Sequence, residues 1–520
     1  MGNNRKKRGI INIVIIIVLV IVIQNIFETT FVKPKNNYNE NKITYLLKEI
    51  QQNYVDSVSM VDLIESSLEQ TLKNLDPHSI YMNKEAVESS MDMMEGSFEG
   101  IGVEFSIKND TIVVINVIND GPSEKKGIKA GDRIVFIEKE NVAGIGITNQ
   151  DVIKKLRGKK GTVVKVGIKN NQEEKIRAIE IKRGKIPLNS VTVAYEISPG
   201  IGYIKLDRFS GTTFEEFKNA LKKLIKEDEI QNLIFDLRGN SGGYLGQATK
   251  VLNEFFDKNK LLVYTKGVAR ETREYFSDQF GSFKTGEMCI LIDEYSASAS
   301  EIVAGAIQDH DRGFIVGAKS FGKGLVQEQI PFPDGSLFRL TVSRYYTPSG
   351  RCIQKPYLNE DDSNYISHQK INTDTITIFK TENGREVFGG GGITPDYTIT
   401  SDSIPDELFV LYRSDFFNDL AFNYVDNERM KLDQIQFTEF KLNDVQLDML
   451  LNKIDDWILS KFENKIERQK LLEVRKQEKK LIEEHLTALI IRQKWGWEKM
   501  RMFLNENDKI ITTSLSLFEK

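Results

Sequence analysis

The segment Asp236–Gly243, with the sequence DLRGNSGG, decides how the central part of the chain folds. It continues the apolar run Leu233–Leu237, whose length and aliphatic composition predict a buried strand. Around it, strand-like segments such as Ile201–Leu206 alternate with helix-like segments such as Thr213–Lys226 and Ala299–Gln308. Strands that alternate with helices in this way predict an α/β core in which some strands pair in parallel.

The chain as a whole is too long for one compact core. It has 520 residues, so we expect two to four domains. With 40% hydrophobic and 28% charged residues, the composition excludes a largely disordered chain and a multi-span transporter. The net charge of 71 − 75 = −4 provides no overall attraction for nucleic acid. Two cysteines, Cys289 and Cys352, exclude a disulfide scaffold and a four-cysteine zinc site but leave one disulfide open.

The first 30 residues predict a location. A basic cluster at residues 5–8 precedes a nearly pure aliphatic run from Gly9 to Ile23, which continues weakly to Phe27. This order is typical of an export signal or a membrane anchor, for which about 20 residues suffice. No small-residue cleavage site and no cysteine for lipid attachment follow, so we favour an uncleaved anchor over a cleaved signal. The basic flank is expected in the cytoplasm and the rest of the chain outside it, in the bacterial periplasm.

The segment Gly100–Val103, with the sequence GIGV, predicts a binding loop. Glycines that alternate with hydrophobic residues leave successive backbone N–H groups free to hold a carboxylate in one concavity. Further on, Gly121–Ile134 has the sequence GPSEKKGIKAGDRI. The two segments in this order resemble a PDZ domain. The resemblance implies that a peptide with a free C-terminus binds as an added strand at Gly100, Ile101, Gly102 and Val103.

Three further glycine- or serine-rich segments follow: Ser296–Glu301 (SASASE), Ser320–Gln327 (SFGKGLVQ) and Gly389–Asp396 (GGGGITPD). Together with Asp236–Gly243 and the PDZ-like motifs, they resemble the C-terminal processing, or tail-specific, serine peptidases, over roughly residues 42–400. The resemblance implies a crotonase-like α/β core and a peptidase that cleaves proteins near their C-termini without a cofactor. It also implies Ser298 as nucleophile, Lys323 as general base and Gln327 as the support of the lysine.

The residue chemistry agrees with these roles. A serine hydroxyl is a weak nucleophile until a base removes its proton. Lysine can be that base only when neutral, which at pH 7 costs about 4–5 kcal/mol unless burial lowers its pKa. In an extended segment Lys323 and Gln327 face the same side. Because Ser298 starts a helix, the N–H of Ala299 can stabilise an oxyanion, and a second donor can come from Gly242 or Gly243.

Other interpretations of the same residues are weaker. Ser298 and Glu301 also fit a capping box, in which they only cap a helix. A triad with His310 would need a contact across about 18 Å of helix, so we expect His310 at the helix end and a structural role for Asp309. Residues 317–323 approach a phosphate-binding loop, but Gly324 stands where Ser or Thr must bind magnesium. The histidines lack metal-ligand spacing, so no metal is proposed.

These observations predict an α/β multidomain protein. Its parts are an N-terminal membrane anchor or signal (1–30), a helical N-terminal region (38–95), a PDZ domain (96–185), a peptidase core (186–400) and a helical C-terminal extension (401–520). The extension fits no motif; oligomerisation, adaptor binding and substrate access are its alternative roles. We expect protein or peptide substrates with free C-termini as partners, and no nucleic acid. The runner-up function is a catalytically silent scaffold that binds C-terminal peptides, which the co-occurrence of Ser298, Lys323 and Gln327 argues against.

Overall fold

The computed structural model describes residues 42–118, 120–170, 175–356, 377–399 and 404–519. The chain divides into two compact units, Met1–Lys73 and Asn74–Lys520. In the first unit, helices α1 (Lys42–Asn53) and α2 (Met60–Lys73) confirm the predicted helical spacing. Among the described residues, no helix has both the length and the apolarity that crossing a bilayer requires. The predicted membrane segment at 1–30 lies outside the described residues.

The second unit begins with a turn at residues 74–79. Strand β1 (Ile80–Met82) and helix α3 (Lys84–Glu95) follow it. Asn83 caps α3 by accepting the N–H of Ala86 at 3.0 Å, and Gly96 ends the helix at φ 72°. The region predicted as helical therefore also contributes a strand, because β1 pairs with a strand far along the chain, β18 (Leu337–Tyr346).

The PDZ-like unit is a small antiparallel sheet in the order β3-β4-β5-β7-β8, with one helix against it. Its elements are β2 (Ser97–Gly100), β3 (Val103–Lys108), β4 (Thr111–Val117), β5 (Arg133–Ile137), β6 (Glu140–Asn141), α4 (Asn149–Leu156), β7 (Val163–Lys169), β8 (Arg177–Lys182) and β9 (Gly184–Pro187). Aliphatic residues fill its core, including Ile112, Val114, Ile134 and Ile181. Strand β3 is at the edge of the sheet, so one side of its backbone is open to a further strand.

The peptidase-like core contains a six-stranded sheet in the order β10-β11-β12-β15-β16-β21. Its elements are β10 (Val191–Ser198), β11 (Ile201–Leu206), α5 (Thr213–Lys226), β12 (Asn232–Asp236), α6 (Leu245–Asn253), β15 (Met288–Ile292), α7 (Ala299–Asp309), β16 (Phe314–Gly317) and β21 (Tyr397–Thr398). All neighbours pair in parallel except β10 and β11, which confirms the predicted α/β core with parallel pairing.

A second sheet packs beside the first and carries the segment with Lys323. It is formed by β1, β13 (Leu261–Lys266), β14 (Arg273–Phe276), β17 (Leu325–Pro331) and β18; a separate hairpin pairs β19 (Ile378–Lys380) with β20 (Glu386–Phe388). Every residue of α7 is buried, which explains its small side chains. At Gly305, for example, a Cβ would lie 2.7 Å from Thr347 Cγ2. Cys289 and Cys352 are free thiols, so the disulfide that the sequence left open does not form.

The C-terminal extension is helical, as predicted. It contains α8 (Asp406–Tyr412), α9 (Asp415–Leu432), α10 (Asp444–Lys461), α11 (Lys465–Gln477), α12 (Lys479–Trp495), α13 (Trp497–Glu506) and α14 (Lys509–Leu517). The charged segment Arg468–Leu504 is divided among three helices by breaks at Glu478 and at Gly496, where φ is 90°. Ile511 and Leu517 of α14 pack with Tyr203, Ile234 and Leu291 on one face of the central sheet.

Candidate active site

Ser298 lies at the sharp turn between strand β15 and helix α7. Its φ of 54° is one that a residue with a side chain rarely adopts, so surrounding contacts must hold it there. The turn is anchored by Ser296, whose hydroxyl donates to the carbonyl of Leu237 at 2.9 Å. The backbone carbonyl of Asn240 accepts hydrogen bonds from the N–H of Ala297 at 3.0 Å and from the hydroxyl of Ser300 at 2.8 Å. The serine turn and the glycine loop after β12 are thus locked together.

Lys323 lies in the loop that leads into strand β17. Its Nζ donates to Oε1 of Gln327 at 3.2 Å, and the amide of Gln327 donates in turn to the carbonyl of His78. The structure therefore brings the predicted lysine and glutamine together and adds a partner that the sequence did not indicate. Burial lowers the pKa of the Lys323 ammonium, and the positive charge of Arg339 lowers it further.

Glu301 connects the serine turn to the lysine loop. Its fully buried carboxylate accepts the N–H groups of Ser298 (2.8 Å), Gly322 (2.7 Å) and Lys323 (2.8 Å) and the hydroxyl of Ser320 (2.5 Å). Burial raises the pKa of this carboxyl, against the effect of the four donors. The contact with the N–H of Ser298 is the one that a capping box predicts. The contacts with the lysine loop, 21–22 residues away, have no signal in the local sequence.

Tyr345, on strand β18, provides a second bridge between the two segments. Its buried hydroxyl lies 3.0 Å from the carbonyl oxygen of Ser298 and 2.5 Å from that of Lys323. Burial raises the pKa of this phenol well above its ordinary value, so the hydroxyl stays protonated and donates. Its position in a strand distant from both segments explains why sequence reasoning did not find it.

The glycine loop after β12 packs directly on Ser298. A Cβ at Gly242 would lie 2.8 Å from the Cβ of Ser298 and 3.0 Å from the N of Ala299. The N–H of Gly242 is already used, because it donates to Oδ1 of Asn240 at 2.9 Å. The N–H groups of Gly243 and Ala299, by contrast, donate to no acceptor within the described part of the chain. Of the two predicted loop donors, Gly243 is therefore the one whose N–H has no acceptor among the described residues.

The turn before β1 also reaches this site. The carboxylate of Asp76 accepts the N–H groups of His78 and Ser79, both at 2.8 Å, and fixes the turn that presents the His78 carbonyl to Gln327. Burial lowers the pKa of the His78 imidazole, and the charge of Lys323 lowers it further. No motif in the sequence connects this turn with Lys323 or Gln327.

His310 and Asp309 lie at the opposite end of α7 from Ser298. His310 ends the helix, with Nε2 2.7 Å from the carbonyl of Leu261 and Nδ1 3.0 Å from Glu382. The carboxylate of Asp309 pairs with the fully buried Arg351. These contacts agree with the expected helix-end position of the histidine and the structural role of the aspartate.

A groove of about 260 Å³ runs along the edge strand of the PDZ-like unit. The predicted loop Gly100–Val103 lines one side of it, and Ile153 and Leu156 of α4 line the other. The N–H groups of Ile101 and Gly102 donate to no acceptor among the described residues. Arg157, which the sequence did not single out, lies at the groove, held by Asp92 at 2.5 Å and by the ring of Phe98.

Comparison with known proteins supports the resemblance. Residues 200–363 match the model of peptidase family S41, residues 100–181 match a PDZ domain, and residues 408–496 match a family of unknown function. The carboxy-terminal processing protease CtpB of Bacillus subtilis is 36% identical over 318 residues, which are 61% of this chain and 65% of that protein. This chain thus spans just under two thirds of the length of the Bacillus relative.

Two further proteins are similar to this chain. A photosystem II D1 C-terminal processing protease of known structure has 25% sequence identity and a TM-score of 0.35, with 70% of this chain and 88% of that chain covered. The carboxy-terminal-processing protease of Bartonella bacilliformis is 36% identical over 313 residues, 59% of this chain and 71% of that protein. On the strength of the sequence matches, the chain belongs to the carboxy-terminal processing proteases of peptidase family S41.

Proposed function

We propose that this chain is a serine endopeptidase in which Ser298 is the nucleophile and Lys323 the general base. One observation carries the proposal: a single buried carboxylate, that of Glu301, binds the N–H groups of both residues. Lys323 is also partly desolvated and has Gln327 as an acceptor for one of its protons. A serine whose turn shares a buried carboxylate with the loop of a lysine of lowered pKa supports an activated nucleophile.

The chemistry follows in two steps. Neutral Lys323 takes the proton of Ser298 Oγ while Oγ bonds to the carbonyl carbon of the substrate. The carbonyl oxygen becomes an oxyanion, for which the N–H groups of Ala299 and Gly243 are the proposed donors. The peptide C–N bond then breaks, and the lysine ammonium returns the proton to the leaving amine. In the second step Lys323 deprotonates a water molecule as the water oxygen bonds to the acyl carbon. The ester C–Oγ bond then breaks, and the lysine ammonium returns the proton to Oγ of Ser298.

Loss of either dyad residue tests this proposal. Ser298→Ala and Lys323→Ala should each abolish cleavage of an unfolded protein, because nucleophile and base act as one unit. Lys323→Arg should be inactive too, since a guanidinium keeps its proton. Cleavage is measured by mass spectrometry, and circular dichroism reports the fold of each variant. Near-normal turnover in a folded Lys323→Ala protein would rule out the dyad.

Substrate recognition is proposed to use the groove of the PDZ-like unit. The N–H groups of Ile101 and Gly102 are available to a terminal carboxylate, and the edge strand β3 is available to the last residues of the peptide. A peptide with an apolar free C-terminus should bind, and its C-terminal amide should bind much more weakly because it lacks the charge. Equal cleavage of free-acid and amidated substrates by the intact chain would contradict this recognition.

For the location, we propose that residues 1–30 anchor the protein with its peptidase part outside the cytoplasm. The basic cluster followed by the aliphatic run supports this orientation. Fusion of residues 1–40 to alkaline phosphatase, which is active only after export, tests the proposal. An inactive fusion whose full-length product accumulates in the cytoplasm would contradict it.

A further inference from the structure

Arg238 lies at the start of the glycine loop, between strand β12 and Gly239, and holds that end of the loop in place. Its Nε and Nη2 bind the fully buried carboxylate of Asp236, the latter at 2.6 Å, and its backbone carbonyl accepts a hydrogen bond from Lys205. Although burial raises the pKa of Asp236, the charges of Arg238 and Lys205 lower it overall, so this buried pair is ionic. Both the side chain and the backbone of Arg238 thus belong to one polar cluster beneath the loop.

The loop beyond Arg238 needs such an anchor. Three of the next five residues are glycines with positive φ: Gly239 (71°), Gly242 (102°) and Gly243 (142°). Glycine loses more conformational freedom on ordering than any other residue, so this stretch has little intrinsic preference for its observed shape. Gly239, Asn240 and Gly242 also bond to neighbouring segments, so Arg238 is one of several groups that set the position of the Gly243 N–H.

The second carboxylate on Arg238 comes from the far end of the chain. Nη1 of Arg238 donates to Oδ2 of Asp508 at 2.6 Å, on the side of the guanidinium away from Asp236. Oδ1 of Asp508 caps helix α14 by accepting the N–H groups of Ile510 (2.8 Å) and Ile511 (3.4 Å). Asp508 is 270 residues from Arg238 and lies outside the residues that match the three family models.

We propose that Asp508 is a positioning residue for the peptidase reaction: through Arg238 it fixes the glycine loop that carries Gly243. The inference rests on the proposed function, in which this loop supplies an oxyanion donor. Arg238 and Asp508 expose only 14% and 19% of their side chains, so water compensates poorly for the loss of the carboxylate. Without it the guanidinium keeps one partner and the loop gains alternative conformations.

The variant Asp508→Asn separates the two contacts of this residue. Asparagine caps a helix as well as aspartate does, but it cannot make the ion pair with Arg238. We expect kcat for a peptide with an apolar free C-terminus to fall about tenfold, part of the roughly 10²–10³-fold loss that follows removal of an oxyanion donor. KM should change less than twofold. Affinity for a peptidyl boronate, which forms a tetrahedral adduct with serine, should fall by the same factor as kcat.

Two controls make the result specific. Glu506→Gln removes an exposed negative charge two residues away and should leave kcat unchanged, whereas Asp508→Glu keeps the charge and should recover part of the activity. Wild-type kcat and boronate affinity in a folded Asp508→Asn protein would overturn the inference. If Asp508→Asn does not fold, Asp508→Ser, which also caps helices well, replaces it; failure of both to fold would contradict a positioning role. An inactive wild-type chain would instead refute the proposed function.

Discussion

At the scale of single residues, the charge of Arg339 helps to set the protonation of Lys323. Burial lowers the pKa of the lysine first, and the nearby guanidinium lowers it further. Arg339→Gln removes that positive charge, so the lysine pKa should rise and the increase of kcat/KM with pH should move to higher pH. Arg270→Gln, at an exposed arginine that pairs with Glu328, is the matched control. A midpoint that moves to lower pH in Arg339→Gln would contradict the assignment.

Gly242 offers a second test at this scale. A methyl group there would meet Ser298 Cβ and the carbonyl of Ala297, both at 2.8 Å, at a φ of 102°. Gly242→Ala should lower kcat by about 100-fold or more, comparable with the loss of an oxyanion donor. Gly239→Ala is matched in chemistry, because Gly239 also has positive φ but has open space at its Cβ. We predict a much smaller loss of kcat in Gly239→Ala than in Gly242→Ala. Equal losses would mean that backbone strain alone lowers kcat.

Glu301 provides a third test at the scale of single residues. Its carboxylate holds both proposed dyad residues, and its negative charge raises the pKa of Lys323. Glu301→Gln leaves an acceptor in place but removes the charge, so kcat should fall and the rise of kcat/KM should move to lower pH. The pH profile separates this role from a purely structural one, which would lower activity without moving the midpoint.

The side chains to which the sequence assigns the chemistry are Ser298, Lys323 and Gln327. Their motifs are local, so the resemblance and the chemistry of serine and lysine could identify them. Only the contact of Glu301 with the N–H of Ser298, three residues away, has a local signal. The carboxylate of Glu301 and the hydroxyl of Tyr345 reach Lys323, and the carbonyl of His78 reaches Gln327, across 22 to 249 residues of chain. No local spacing encodes such contacts.

At the scale of elements, helix α9 of the extension contacts the PDZ-like unit. Asp426 pairs with Arg133 at 2.8 Å, Arg429 donates to the carbonyl of Ala130 at 2.8 Å, and Phe422 packs on Val113 and Ile115. Asp426→Ala leaves the largely buried Arg133 with the carbonyl of Gly131 but without its carboxylate, and loss of a charged hydrogen bond costs about 2 kcal/mol. Hydrogen exchange should accelerate in β4, β5 and α9.

The control for this prediction lies on the same helix. Lys431 is exposed, and among the described residues it pairs only with Glu428, three residues away, so Lys431→Ala should leave exchange unchanged. Unaltered exchange in Asp426→Ala would mean that the contacts of α9 with the PDZ-like unit contribute nothing to holding it.

Elements with a strong hydrophobic period could be predicted closely. Strand β11 (Ile201–Leu206) and helix α5 (Thr213–Lys226) occur with the predicted bounds. The extension was less predictable, because the charged residues 468–504 continue a helical pattern across the break at Gly496. Strand β1 was missed because three residues carry no period, and only its distant partner β18 defines it.

At the scale of the whole molecule, the extension contacts both other parts of the second unit. Helix α9 reaches the PDZ-like unit, Arg492 of α12 pairs with Glu104 on the edge strand β3 at 2.8 Å, and α14 covers one face of the central sheet. From the sequence, the extension is a region without a motif, because contacts between segments that are distant along the chain leave no local pattern. In the structure, residues of the extension lie next to both the groove of the PDZ-like unit and the glycine loop.

The central claim is that Lys323, in its neutral form, activates Ser298. The most direct measurement is the rate at which a fluorophosphonate labels Ser298 in the wild-type chain and in Lys323→Ala, as a function of pH, with the labelled peptide identified by mass spectrometry. Oγ displaces fluoride from phosphorus and its proton passes to the lysine, so the wild-type rate should rise with pH through the lowered lysine pKa. Lys323→Ala should label far more slowly at every pH. Labelling of another serine, a wild-type rate that falls between about pH 6 and pH 9, or equal rates in the two proteins would contradict the account.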